Sequence, residues 1–441
     1  MKDLKIAVIG GGSPGWTPRL VTDIMLERDL PGGEIALTDL DPDALSILGK
    51  VCERIRVAHD GAFSVGTMTE LDEALDGADF VIVTITTGGL HAMRADLEIP
   101  ERYHCFQTVG DTVGPGGLSR ALRNIPVFAG FARAMERRCP QAWMLNVSNP
   151  LTALTRTVEK ASSIRALGIC HGVDAAAHDY AQLAGVEPPT SGEAGGFRVA
   201  GVDHCSWLLD YRAGETDVLA DIRARLADGW RFDDDKQGIL EGYVACFKLF
   251  ESLGYLPAIQ ARHIVEFFPY FLRDMEQVER YGLKRTSIVD RERGRERQRE
   301  SARKMASGEA DVPSGQSNEA VAPVIRALVT GKRVVVSLNA RNEGQIPNLP
   351  LDAVVETLCV VDGAGVHPAA AGPLPPEILA VVLPHVLRQE MTVEAGLDGD
   401  RDKALAVLAT DPLVQDLDTA RDMLREMLEA NRKHLPQFFA D

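Results

Sequence analysis

Two short segments combine residue types that a plain hydrophobic core does not need. LGICHG ends in Cys170 and His171, and VAGVDHCSW carries Asp203 and His204. Read as one strand end and one further strand, they let a thiolate and an imidazole meet around a divalent cation, with positions left open for substrate oxygens. Taken singly, each residue also fits a buried cysteine or a hydrogen-bonded histidine. NVSNP puts Asn146 and Asn149 at the expected carboxyl edge of a sheet, where open α/β proteins bind ligands, although Asn149-Pro150 alone also reads as a turn. QTVGDTVGPGGLSRALRNIP places Gln107, Asp111 and Thr112 in a glycine-rich loop before a helix starting near Leu118. Amides and small polar groups in such a loop can face a ligand.

A second kind of chemistry is written at the N-terminus. The apolar run LKIAVI is followed by GGGSPG, which sets Gly10, Gly12 and Gly15 in G-x-G-x-x-G spacing, with Ser13 between them. Glycines there let the turn close and let a pyrophosphate approach the amides of the next helix. The second strand, EIALTD, ends in Asp39, whose carboxylate suits ribose hydroxyls and repels a 2′-phosphate, so NAD is expected rather than NADP. Asp39 as a mere helix cap is the alternative, but Asp41 and Asp43 are better placed for that.

These residues need elements to carry them. β-branched runs alternate with helical patterns through the first third (LKIAVIG, EIALTDLD, ADFVIVTIT, AWMLNVSNP), the pattern of βαβ units and a parallel sheet. Beyond it, the strands FRVAGVDHCSWLLDYR and GKRVVVSLNA mix with amphipathic helices around Asp235–Phe250 and Leu417–Leu435. The expectation is an α/β chain: a doubly wound, parallel-sheet Rossmann domain (residues 1–169) and an α+β domain (residues 170–441) for substrate, metal and oligomerisation. Its 441 residues, 45% hydrophobic and 25% charged, fit two packed globular domains. Seven scattered cysteines without CxxC spacing argue against a disulfide framework or zinc knuckle and point to a reducing cytoplasm. No export signal or membrane-spanning run is evident. A net charge of −17 disfavours nucleic acid, and the Arg/Glu-alternating stretch Arg291–Lys304 reads as a solvated helix face.

Taken together, GGGSPGW, GDTVGPGGLSRALRNIP, NVSNP, GICHG, GVDHCSW and NEGQIPNLPLDAVVE resemble glycoside hydrolase family 4, the NAD- and manganese-dependent glycosidases, nearly end to end. LFESLGYLPAIQARHIVEFFP and EAGLDGDRDKALAVLATDPLVQD are most similar to its α-galacturonidase branch. The resemblance implies a lactate/malate dehydrogenase-like fold, a small glycoside substrate, and a homodimer or homotetramer. It also implies cleavage by transient oxidation at C3, proton loss at C2 and elimination at C1, outside the usual two-carboxylate scheme. On the matching positions, Cys170 and His204 are the implied ligands of Mn2+ or another divalent metal. Asn149 is implied between nicotinamide and sugar, Gly10 to Gly15 with Asp39 and Asn146 at the cofactor, and Arg94 at the substrate. Asp111 and Thr112 line the pocket, and His171 is the candidate acid for the leaving group.

Two positions depart from the family pattern. Asp203 stands where the family writes asparagine, adding a negative charge beside the cation. The segment commonly written GDRHxxEF reads Gln260-Ala261-Arg262-His263-Ile264-Val265-Glu266-Phe267, so the expected C2 base is missing. His263 and Glu266, three apart on one expected helix face, are the candidate replacements, a helix-surface pair with no catalytic part being the alternative, and Arg262 can pair with a substrate carboxylate. A net sugar or hydroxy-acid dehydrogenase, or a sensor that binds NAD without turnover, are the other readings.

Overall fold

Strand β1 (Leu4–Ile9) alternates its side chains so that Ile6 and Val8 enter one apolar cluster while Ala7 and Ile9 enter another, which is what a strand covered on both faces requires. The computed structural model describes residues 3–188, 196–230 and 236–439. β2 (Gly33–Thr38), β3 (Phe63–Met68), β4 (Phe80–Val83), β5 (Trp143–Asn146) and β6 (Arg165–Gly168) join β1 in parallel, in the order β3-β2-β1-β4-β5-β6. That is the Rossmann order, and its direction reverses between β1 and β4, where a crevice opens at the carboxyl ends.

The second half adds β7 (Phe197–Val202), β8 (Cys205–Ala213), β9 (Thr216–Asp217), β10 (Leu256–Pro257), β11 (Val334–Arg341), β12 (Val354–Asp362) and β13 (Gly365–Pro368). Its strands run antiparallel and continue the same sheet, because β11 meets β6 at Asn339 and Gly168. Helices Gly172–Ala184, Val244–Leu253 and Pro376–Asp398 cover this extension, around a core that includes Trp207, Tyr180 and Phe247. The Rossmann sheet followed by an α+β half is the expected fold class.

Three local expectations change. The single strand expected over residues 197–212 is a hairpin, β7 and β8, turned by Asp203 and His204 with Val202 paired to Cys205. Apolar residues run on through the turn and hide it; the backbone reveals it, since His204 has a left-handed φ of +63°. The helix expected at Leu118 starts earlier and spans Gly114–Arg138. Gly117 belongs to it because a Cβ there would lie 2.5 Å from the carbonyl carbon of Thr112, so the preceding loop packs onto the helix only over a bare Cα. The helix expected around Asp235–Phe250 is two, Gln237–Glu241 and Val244–Leu253, and Asp235 lies outside the described residues.

Candidate active site

The turn after β1 is shaped by what surrounds it. Gly10 has φ +91°, and a Cβ on it would sit 2.3 Å from the Thr84 carbonyl oxygen at the end of β4. A Cβ on Gly12 would sit 2.8 Å from Asp39 Oδ2, which accepts the Gly12 amide at 3.0 Å. Asp39 also accepts the Asp41 amide at 3.1 Å, while Asp41 caps the helix Pro42–Ala58 through the Ala44 amide. Asp39 is therefore not the helix cap. Gly10, Gly12, Ser13 and Asp39 line a cleft of about 1170 Å³ that runs to Asn149 and Asp111. Gly15 turns instead toward Gln298 of a later helix, 3.1 Å from where its Cβ would stand.

Beyond Asn149 lies the second group. Cys170 follows β6, and the hairpin turn brings His204 Nε2 to 3.7 Å from Cys170 Sγ and 3.7 Å from Asp203 Oδ2. Donor atoms of all three lie within 4.8 Å of one another, as ligands around one ion at about 2.0–2.3 Å do. Both Asp203 oxygens are buried without a hydrogen-bond partner among the described residues. An unsatisfied buried carboxylate is costly, and with a thiol and an imidazole beside it the donor set fits a divalent cation. Burial, with Asp111 nearby, pushes the Asp203 carboxyl up, and burial pushes the Cys170 thiol up. A bound cation reverses the sense of both pressures.

Around this cluster, Thr112 Oγ1 meets His204 Nδ1 at 2.7 Å and donates to Asp111 Oδ1 at 2.9 Å. The first contact leaves Nε2 of His204 facing Cys170. Asp111 accepts from the Asn149 amide at 3.4 Å, and Arg120 donates to the Asn149 carbonyl at 3.0 Å. Burial opposes ionisation of Asp111, but the Arg120 guanidinium outweighs it and holds the carboxyl below its usual range. The His263 ring lies 4.1 Å from that of His204, and Asp111, His204 and His263 form a second donor group with atoms within 4.8 Å. Arg262 donates to Thr286 Oγ1 at 3.0 Å, while its buried Nε has no partner among the described residues.

Four expectations are corrected. Asn146 is fully buried and its amide is spent locally, donating to Leu151 O and Thr155 Oγ1 and accepting the Ser148 amide at 2.8 Å. It shapes the turn after β5, and Val147 and Ser148 reach the cleft instead. Arg94 lies on the surface, paired with Glu98 at 2.8 Å and Glu292 at 2.9 Å, so its guanidinium ties two helices together. Glu266 does not act with His263: the helix Ala261–Ile264 tightens to a 3₁₀ turn, Val265–Phe267. Its Oε1 accepts the amides of Val109 at 2.7 Å and Gly110 at 2.9 Å and the Thr108 hydroxyl at 3.2 Å, anchoring the loop that carries Asp111. The stretch Arg291–Lys304 is not simply a solvated face, since one side of the helix Ile288–Ser307 lines the cleft.

His171 begins the helix Gly172–Ala184, with Nδ1 3.4 Å from Glu319, whose hydrogen bond raises the imidazole's proton affinity against burial. Glu319 and Arg120 are functional-site residues to which no motif in the sequence assigns a part. Nothing in the residues around Glu319 signals a partner nearly 150 positions earlier, whereas Arg120 sits inside the GGLSRALRN segment already singled out.

The family 4 glycosyl hydrolase pattern matches residues 5–186, and that of its C-terminal domain matches residues 199–414. The chain belongs to glycosyl hydrolase family 4. This family 4 hydrolase is 34% identical to an α-galacturonidase of Thermoanaerobacterium saccharolyticum, over 98% of its own length and 97% of the relative's. It is 32% identical to an α-galacturonidase of Bacillus subtilis, over 97% and 98%. The crystal structure of lplD from Bacillus subtilis superposes with a TM-score of 0.88 at 31% identity, over 97% of this chain and 100% of that one. A 6-phospho-α-glucosidase from gut microorganisms, in complex with NAD and Mn2+, shares the fold at TM-score 0.80 and 23% identity, over 99% and 100%. A Plasmodium falciparum malate dehydrogenase shares it more distantly, at 0.52 and 13% over 92% and 99%.

Proposed function

We propose that this family 4 hydrolase cleaves α-galacturonides or closely related α-uronides, using NAD and a divalent cation, with Mn2+ the first candidate. The observation that carries the reading is the meeting of Cys170, Asp203 and His204 beside Asp111 and Asn149, at the inner end of a cleft that begins at a glycine turn. Relatives described as α-galacturonidases and a fold neighbour solved with NAD and Mn2+ support it.

Cys170, Asp203 and His204 would hold the cation, and Gly10, Gly12, Ser13 and Asp39 the dinucleotide, with Gly15 giving clearance to Gln298. When bound, the pair supplies reversible oxidation of one sugar carbon and positive charge beside the neighbouring oxygens. Asn149 orients the sugar between cleft and cluster. Asp111, held ionised, keeps Asn149 and Thr112 in place. His263 takes the C2 proton on a ring nitrogen: burial keeps the imidazole neutral, and the Glu266 carboxylate is occupied by the loop. His171, steadied at Nδ1 by Glu319, gives a proton to the departing glycosidic oxygen. Arg262 presents a buried, unpartnered Nε, which the carboxylate of a uronic acid would satisfy and a neutral hydroxymethyl would not.

Residues 1–169 make up the cofactor half of this proposal, and residues 170–441 supply cation, substrate and subunit contacts. A homodimer or homotetramer in the cytoplasm completes it, the compartment alone being supported by seven free cysteines. Among the described residues, no helix is long and apolar enough to cross a membrane.

Incubation with NAD, Mn2+ and a panel of α-galacturonides, galactosides and glucosides in deuterated water tests the whole reading. Expected are aglycone release, no accumulation of NADH, and deuterium at C2 of the freed sugar. Stoichiometric NADH would make the protein a net dehydrogenase, and release without deuterium would remove the C2 step.

A further inference from the structure

The helix Ile288–Ser307 meets the cleft along one face only. Its contributions are Asp290 and Arg291, then Gly294 and Arg295, then Gln298 and Arg299, then Ala302 and Arg303, a repeat of four that marks a single stripe. The stripe is anchored at both ends. Arg94 on the helix Gly89–Arg102 holds Glu292, while Arg54 on the helix Pro42–Ala58 donates to the carbonyls of Met305 and Ala310, and Ala302 and Met305 pack into the apolar cluster below. The helix therefore bridges the cleft from one wall to the other. A Cβ on Gly15 would lie 3.1 Å from Gln298, and one on Gly89 would lie 3.6 Å from Arg295 Nη1.

The small or uncharged positions of the stripe let the helix approach, and its four arginines stand four residues apart. Like charges at that spacing repel, so the row works against its own helix. The adjacent glutamates leave most of the row unmatched: Glu292 pairs with Arg94, Glu300 with Lys304, and Glu296 with Arg303 at the end of the row. Of the row only Arg303 is paired, and Arg291, Arg295 and Arg299 make no ion pair among the described residues. In a chain of net charge −17, unpaired guanidiniums lining the same cleft as the glycine turn form a local anion site.

We propose that this arginine row is the second wall of the dinucleotide cleft, and that Arg295 and Arg299 hold the cofactor's pyrophosphate against the glycine turn. The inference rests on the reading of the cleft as a dinucleotide site and adds to it the residues that close it. It also explains the placement of Arg94, which positions the helix over the cleft rather than touching the sugar.

The test is calorimetric titration of the full-length protein with NAD and, separately, with adenosine, which lacks phosphate. Arg295→Gln and Arg299→Gln are each expected to weaken NAD about tenfold, as loss of one charge-assisted phosphate contact does. The double variant should weaken it further, with a shallower dependence on salt. Adenosine affinity stays unchanged, and so does NAD affinity in Arg297→Gln, which lies off the stripe. The melting temperature of the cofactor-free variants should hold or rise, because a repulsive pair has been removed. Unchanged NAD affinity in the double variant overturns the proposal. So does an equal loss for NAD and adenosine that Arg295→Lys and Arg299→Lys fail to restore, since the row would then be structural. A wild-type protein that binds no NAD at all would overturn the cofactor reading first, and the clamp with it.

Discussion

Glu266→Gln separates a base from a brace. The Glu266 side chain is 2% exposed, and one oxygen receives two amides and a hydroxyl from the loop 108–110. Burial nevertheless lifts its carboxyl from 4.5 to about 7, outweighing those hydrogen bonds. Because the folded value lies above the unfolded one, its contribution to stability is intact below about 4.5. It falls as pH rises through the interval and levels off above about 7. At about 1.4 kcal/mol for each tenfold change in proton affinity, the cost approaches about 3 kcal/mol at pH 8 and is under about 1 kcal/mol at pH 5. Glutamine keeps an acceptor oxygen for both amides and cannot ionise. Urea unfolding at pH 5 and pH 8 should therefore show the wild type losing roughly 2–3 kcal/mol more than the variant between the two. Turnover should stay within about tenfold of wild type, because the loop bearing Asp111 and Thr112 remains anchored. A general base replaced by its amide would instead cost about 10²–10⁴-fold. Parallel pH profiles of stability would refute the ionisation argument, and collapse of turnover in a folded variant would make Glu266 the base after all.

Three further outcomes follow from the same geometry. Cys170→Ser and His204→Ala should each abolish turnover and lower Mn2+ affinity, read by titration of bound metal, while NAD affinity stays unchanged because the glycine turn is untouched. Asp203→Asn should melt higher than wild type in chelator, since a buried unpaired carboxyl is gone, yet gain less on adding Mn2+; a variant stabilised as much by the metal would show that Asp203 is not a ligand. Arg262→Ala should raise KM for α-galacturonides by about 10–100-fold without a matching change for α-galactosides, as expected when a charged group loses its partner. Equal losses on both sugars would deny it the carboxylate.

The parts of this protein that were legible in its sequence are those where chemistry and backbone geometry coincide locally. The glycine turn, Asp39 and the strand-end Cys170 announce themselves because a strand, a turn and a helix follow one another within a few residues. What stayed hidden is how each polar group spends its hydrogen-bonding capacity. Asn146, Arg94 and Glu266 carry the right atoms in the right segments, yet local partners use those atoms up: a turn amide, a neighbouring helix and a loop backbone. Arg262 and Asp203 differ only in keeping buried atoms unpaired, a property that exists once the chain is packed. The arginine helix makes the same point in charge. Its alternating Arg and Glu read as a solvated surface because Arg295, Arg299 and Arg303 each have a glutamate three residues before them. Packing against the helices Pro42–Ala58 and Gly89–Arg102 turns one row inward, leaving Arg295 and Arg299 facing the cleft without acids. A functional residue in this fold is thus recognised less by its type than by the partner it lacks.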